Sequence, residues 1–387
     1  MRKRLRMALG ALFAGALAAP VLAEDGVTDT EIILGSHTAL SGPVSGWGIG
    51  ATEGARMLFD EVNEKGGVHG RKLKLIVEDN QYSVPRAVQA ANKLINNDKI
   101  FLMVGALGTP MNNAVFGEQF EKGVPNIFPF TAARSMSEPL HPLKFAQFSS
   151  YYDQVRAATK HFVEKEGRRK VCAMYQDTDF GHEIRDGVQD QAKAGKFEVA
   201  SEAAYGPKDT EFVAPITKLR SAGCDLVVLG SIIADTIGAV GTARKLGWND
   251  VIFVGQAASY DPRVAAAPPM EGFYSGTGMP YSYADTSGDA IKAWSDKYKA
   301  RTGQEPNSAA QYSYVGSDII VKALQAAGKD LTRAKFLAAL EGIKDYKPMF
   351  PGPLLSYGPQ RHQGSFATFL AKAEGGRWRV VAENLLY

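Results

Sequence analysis

Cysteine is almost absent from this chain: Cys172 and Cys224 are the only two in 387 residues. That excludes a small disulfide scaffold and any thiolate-built zinc cluster. Histidine is nearly as scarce, and His37, His69, His141, His161, His182 and His362 form no H-x-x-x-H pair. A helix-borne zinc site therefore has no support. Neither a G-x-S-x-G nucleophile elbow nor a G-x-x-x-x-G-K-[ST] phosphate loop occurs, which removes the commonest signatures of hydrolases and P-loop enzymes. His182-Glu183 reads as the start of a surface helix rather than a catalytic base, so no enzyme activity and no cofactor are expected. No polybasic stripe with interleaved aromatics is present, so no nucleic-acid partner is expected.

After residue 23 no apolar run approaches the ~18 residues of a spanning helix. Before it stand Arg2-Lys3-Arg4 and Arg6, an apolar run from Ala8 to Ala19, and Val21-Leu22-Ala23. A basic start, a short apolar stretch and small residues at the end are the marks of a secretory leader cleaved after Ala23. The run is too short to cross a bilayer core of roughly 30 Å. The next residue is Glu24, not Cys, so no lipid anchor is expected there. Residues 1–23 carry four basic side chains and no acidic one, so the net charge of +3 becomes −1 without them. The mature chain is expected to be soluble, exported to the periplasm and monomeric.

The rest of the chain is organised around the stretch from Ile32 to Gly54. Ile32-Ile33-Leu34 has the content of a buried strand. Ser41-Gly42-Pro43 and Ser45 to Gly50 read as a loop of small residues, and a helical pattern starts by Glu53 with Ala55, Met57, Leu58, Phe59 and Val62 on one face. Strand, glycine loop and helix form the ligand corner of a doubly wound α/β domain. A dinucleotide fingerprint would need a third glycine where Glu53 stands, and a plain turn without a ligand is the simpler alternative.

From Glu31 strand and helix patterns alternate with short connections to about Phe128, then restart at Val155 and run to Val254. Two α/β units with mostly parallel, doubly covered sheets follow from that order, joined near Phe145–Ser150. Two helical patterns, Asp289–Arg301 and Ala309–Ala326, come next, then a short one at Arg333–Leu340. Two final strands, Ser365–Lys372 and Trp378–Ala382, close the chain. A cleft between two such lobes is a preferred place for a small ligand and for hinge closure. Both cysteines are expected in strands of the second unit. With Tyr175 and Gly230 aligned, Cys172 lies beside Val227, three residues past Cys224, which at ~3.3 Å per residue is too far for a bridge. Two buried free thiols are the expectation.

Four runs carry a resemblance: TALSGPVSGWG with Gly54-Ala55, VNEKGGVHGRKLKLIVEDNQYSVPRAVQAANKLI, Asp177-Thr178-Asp179-Phe180-Gly181, and KARTGQEPNSAAQ. Spread in order over nearly the whole mature chain, they resemble the periplasmic substrate-binding proteins of ABC importers, of the leucine/isoleucine/valine-binding type. The resemblance implies two doubly wound lobes, a hinge of three crossings and a ligand enclosed between them. Lobe one would take 29–146 plus 277–352, and lobe two 147–276 plus 353–387. It implies a small-molecule ligand and an ABC transporter permease as partners.

Carried over by position, Trp47 packs on the ligand's body. Thr109 holds its carboxylate at a helix start, and Phe130 and Thr131 with Ala132 line the next loop. Phe180 closes from the second lobe, and Tyr151 and Gln256 complete the site. Amino-acid binders of the family place an ammonium-pairing acid where this chain has Ala257, beside Gln256. An unpaired buried ammonium is strongly disfavoured. With Trp47, Phe128, Phe130, Phe148, Tyr151, Phe180 and Tyr260 at strand ends, the expected ligand is a carboxylate without an amine, aromatic in its body. A branched-chain amino acid held through Asp235 or Asp177 stays open as the alternative, as does a ligand sensor of the same fold.

Overall fold

The computed structural model describes residues 24–387; the expected leader lies outside them. Five short apolar strands make the first sheet: β1 (Glu31–Thr38), β2 (Lys72–Asp79), β3 (Leu102–Val104), β4 (Asn126–Ile127) and β5 (Lys144–Phe145). They run parallel in the order β2-β1-β3-β4-β5. Helices α1 (Ser45–Glu64), α2 (Val84–Asn92) and α3 (Thr109–Glu121) connect them. The period-2 alternation of β1 sends Ile32 and Leu34 to one face, under α1, and Ile33 to the other, against Leu94 and Ile100.

The second sheet begins after α4 (Tyr151–Lys165). It contains β6 (Val171–Gln176), β7 (Val199–Tyr205), β8 (Leu226–Gly230), β9 (Ile252–Gly255) and β10 (Tyr274–Thr277). Helices α5 (Asp179–Gly195), α6 (Val213–Ser221), α7 (Ile233–Lys245) and the short α8 (Pro262–Ala265) lie between them. The chain then returns to the first core with α9 (Asp289–Thr302), α10 (Ser308–Ala327) and α11 (Arg333–Glu341), whose Trp294, Ile319 and Phe336 pack with Ile32 and Phe59. Leu355 and Tyr357 belong to that same core. Strands β11 (Thr368–Glu374) and β12 (Arg377–Leu385) finish the second sheet, in the order β12-β11-β10-β9-β8-β6-β7. Its parallel run ends where β11 and β12 pair antiparallel to their neighbours.

Three crossings join the halves, after β5, after β10 and before β11, and they meet side by side. Ala146 bridges Gln363, and a Cβ on Gly278 would meet Phe148 at 2.4 Å.

Two expectations need correction. Ser45 to Gly50 is not a loop but the first turns of α1. Intrinsic propensity opposes a glycine-rich helix start, yet packing requires it. A Cβ at Gly48 would lie 2.0 Å from the Ala39 carbonyl, and one at Gly54 would lie 2.3 Å from the Ala310 carbonyl. The glycines let α1 settle on the chain beneath it and on α10.

Nor are the cysteines free: Cys172 and Cys224 form a disulfide with Cα atoms 5.9 Å apart. The expected register is present, with Cys172 opposite Val227. β8 does not run straight back to Cys224. The strand starts at Leu226, and Cys224 sits in the preceding turn, where Gly223 has φ +73° and the Cys224 N–H bonds back to Leu219. That turn carries the sulfur alongside β6.

Candidate ligand-binding cleft

The carboxyl ends of both sheets face each other across one cavity of about 130 Å³. An engineered apolar cavity of ~150 Å³ accepts benzene, so the space suits one ring or a short branched chain. Trp47, Thr109, Phe130, Thr131, Tyr151 and Phe180 all line it. So do Phe128, Phe148 and Tyr260. Gln256 does not. Its side chain is fully buried, donates to the Ser231 carbonyl at 3.0 Å and accepts the Ala258 N–H at 2.6 Å. As the cap of a single 3-10 turn its amide is used up by the backbone, while its neighbours Ala257 and Ala258 reach the cavity.

The polar end is built on α3. Gly108 precedes the helix at φ +102°, where a Cβ would also press on Met111 and Tyr82; glycine is required there. Pro110 fixes the first turn and offers no N–H. The remaining first-turn amides have no intrahelical acceptor, and the helix start favours an anion. The Thr109 and Thr131 hydroxyls meet at 2.7 Å. The Tyr151 backbone N–H donates to the Ala132 carbonyl at 2.6 Å, and burial pushes the phenol's pKa above its usual value. Tyr151 therefore stays protonated and able to donate.

Aromatic rings form the walls. Trp47 and Phe130 lie 5.2 Å apart between centroids, and Tyr151 meets Phe180 edge-on at 5.3 Å. Tyr312, on α10, packs edge-on against Phe148 at 4.9 Å and donates to or accepts from Thr277 at 2.9 Å. Sequence reasoning missed Tyr312, although it directly follows the KARTGQEPNSAAQ run. Ser308, Tyr312, Gly316 and Ile320 recur every fourth residue on the cavity side of α10, the stripe that helical spacing would have marked. Tyr82, also missed, lines the cavity from a positive-φ turn at +55°.

Among the described residues, no acidic or basic side chain lines this cavity. Asp235 is engaged elsewhere: its carboxylate accepts from Tyr205 at 2.8 Å, and burial raises its pKa against the pull of bonds from Tyr205 and Gln176. Asp177 is exposed and pairs with His182 at 2.8 Å. The halves also touch outside the cavity. Asn113 of α3 donates to Asp179 of α5 at 2.9 Å. Arg134 lies 3.6 Å over the Tyr152 ring and donates from its backbone and side chain to Glu183, at 2.9 and 3.1 Å.

Behind the cleft floor, His37 is fully buried on β1. Its Nδ1 takes a bond from the Asn80 amide at 3.2 Å, and its Nε2 has no partner. Burial lowers its pKa from 6.5 to about 4. A folded-state value below the unfolded one means stability is full above pH 6.5 and falls as pH drops through about 4. The loss expected from this one group is on the order of 3 kcal/mol. Thermal unfolding across that range should show a component that His37→Gln removes; identical pH profiles for the two proteins would refute it.

The family pattern described as periplasmic binding protein matches residues 31–377. The chain is 26% identical over 209 residues to the Leu/Ile/Val-binding protein of Escherichia coli, a match covering 54% of this chain and 57% of that one. It thus spans little more than half the length of that curated relative. Among solved structures it resembles a fatty acid ABC transporter substrate-binding protein from Thermomonospora curvata, with TM-score 0.82, 23% identity and 94% of each chain covered. It also resembles a solute-binding protein of an ABC transporter from R. palustris in complex with benzoate, with TM-score 0.79 and 20% identity, covering 92% of this chain and 97% of that one. With two doubly wound halves, three crossings and a shared cleft, matched by the pattern over nearly its whole length, this chain belongs to the periplasmic binding protein family.

Proposed function

We propose that the protein captures a small carboxylate that lacks an amine, aromatic in its body, and hands it to an ABC transporter permease. The observation that carries this reading is the uncharged lining of the cavity. An α-ammonium enclosed there would lose its hydration without meeting a carboxylate, a loss of several kcal/mol. A carboxylate instead meets the Thr109 and Thr131 hydroxyls and the start of α3. The rings of Trp47 and Phe130 then offer an apolar wall to a planar body. The R. palustris relative in complex with benzoate supports the same ligand class.

Capture would begin on the first half, at Thr109 and Thr131, with Phe180 and Tyr151 closing from the second. Closure excludes water and strengthens the contacts to the anion. The Asn113–Asp179 bond, which spans the halves, would hold the closed form that the permease recognises. The role is binding and delivery rather than catalysis, in the periplasm, with the leader removed after Ala23.

The test is a thermal-shift comparison on protein stripped of carried-over ligand by unfolding and refolding with the disulfide intact. Ligands of the native state raise Tm by mass action. Benzoate should raise it, and leucine, isoleucine, valine and phenylalanine should not. A shift with the amino acids alone would overturn the amine-free reading and send attention to Asp235.

A further inference from the structure

The two halves also meet beside Trp47, where α8 of the second half reaches the start of α1 in the first. A Cβ on Gly46 would lie 2.4 Å from Arg263 Nη1 and 3.1 Å from its Cζ, far inside van der Waals contact. The guanidinium therefore lies directly on the glycine. Both segments follow the carboxyl end of a strand, α1 after β1 and α8 after β9. Each is rooted in its own core, α1 through Met57 and Phe59, and α8 through Val264 and Ala265.

An arginine tip ordinarily swings aside for a methyl group, but Arg263 has no such freedom. Its Nε and Nη2 donate to the two oxygens of Asp261 at 2.7 and 3.0 Å, and its backbone N–H donates to the same carboxylate at 2.9 Å. Asp261 is fully buried, and a buried carboxylate that loses its cation is strongly disfavoured. The Asp261 carbonyl accepts the Trp378 indole N–H at 2.9 Å, which moors the pair to β12. Gly46 cannot yield either. Its carbonyl accepts the Asn307 amide at 2.7 Å, and a Cβ on Gly50, one turn on, would lie 2.2 Å from Asn307 Oδ1. The start of α1 is thus held by α10 on one side and met by Arg263 on another. Only a residue without a side chain fits between them.

We propose that Gly46 and Arg263 are the seat on which the halves come to rest, and that the missing side chain at 46 sets how far the cavity closes. This rests on the reading of capture as closure of the two halves. Arg263 Nη1 is the projecting atom, Asp261 holds it out, and Gly46 is the socket. Trp47 is next in the chain and lines the cavity, so a stop at position 46 holds its ring away from the second half. A side chain there acts as a wedge. The halves halt at a wider angle, water stays in the cavity, and contacts such as Asn113–Asp179 do not form.

Cross-linking reads closure directly. Asn113→Cys/Asp179→Cys places thiols on α3 and α5 where the halves touch, and a short bismaleimide joins them only when the halves are together. Gly46→Val should slow that reaction about tenfold or more, with and without benzoate, and weaken benzoate binding by a similar factor. Asp261→Asn/Arg263→Ala removes the projecting tip together with the charge it neutralises, and keeps a capping side chain at 261. In that background Gly46→Val should change the rate by no more than about twofold. Recovery there separates a wedge from damage to α1, which would persist. Arg263→Lys, which keeps a cation beside Asp261 but has no Nη1, should recover part of the rate and serves if the charge-free pair does not fold. Equal rates for Gly46→Val and its parent, or the same slowing in every background, would overturn the seat. If benzoate does not speed the reaction in the parent, the ligand reading falls, while the ligand-free rates still decide this one.

Discussion

Thr109→Val is expected to weaken benzoate binding by roughly 10- to 100-fold, the size of a lost hydrogen bond to a charged group. Valine keeps the shape of threonine and its place at the start of α3, so the helix should form as before. What disappears is a donor to the anion, together with the 2.7 Å partner that orients the Thr131 hydroxyl. Thr131→Val should act in the same direction, and the double variant should lose less than the sum of the two, because the hydroxyls are bonded to each other. Titration calorimetry gives the affinities, and circular dichroism with Tm reports whether the fold is kept. Unaltered affinity in a folded Thr109→Val protein would dismiss the anion subsite. The measurement is sharper than removal of a ring. Trp47 or Phe180 shares its contacts with several neighbours, whereas the two threonines contribute little other than their hydroxyls.

Loss of the Cys172–Cys224 bridge is expected to lower stability by about 4 kcal/mol, the chain-entropy value for a loop of this size. The bridge spans 52 residues and ties β6 to the turn before β8. Both cysteines are buried in the second core, among Met174, Phe212 and Trp248. Cys172→Ala/Cys224→Ala should therefore unfold at lower denaturant with the same final signal, and reduction of the intact protein should move Tm in the same direction. The cavity lies at the carboxyl ends of these strands and the bridge near their amino ends, so benzoate affinity at low temperature should change little. A double variant as stable as the parent would show that the second core holds β6 and β8 together without the covalent tie.

Much of this architecture could be read from residues alone, for physical reasons. Apolar runs such as Leu226–Leu229 are too short for helices and too continuous for an exposed face, so their place in a covered parallel sheet followed. The rings at strand ends were legible because, in doubly wound units, the carboxyl ends of strands meet the ligand side. Other features depended on three-dimensional approach. The helical start at Ser45 is set by the Ala39 carbonyl and Asn307 pressing on Gly48 and Gly50, partners remote in sequence or invisible to propensity. Gln256 had the right neighbours for a contact residue, but its own amide is taken by Ser231 and Ala258. The disulfide escaped because the register of β6 and β8 says nothing of the turn before β8, and that turn carries Cys224.

The close seat of α1 on α10 has a consequence for how the chain acquires its shape. Gly54 and Ala310 touch although about two-thirds of the chain separates them. The side of α1 that faces α10 therefore stays uncovered until residues 308–327 are available. Contacts of such high sequence separation form late, since a long loop must close before they reward it. The first half of the molecule thus cannot complete its packing before α10 is available, whereas the second sheet through β10 is built from consecutive segments.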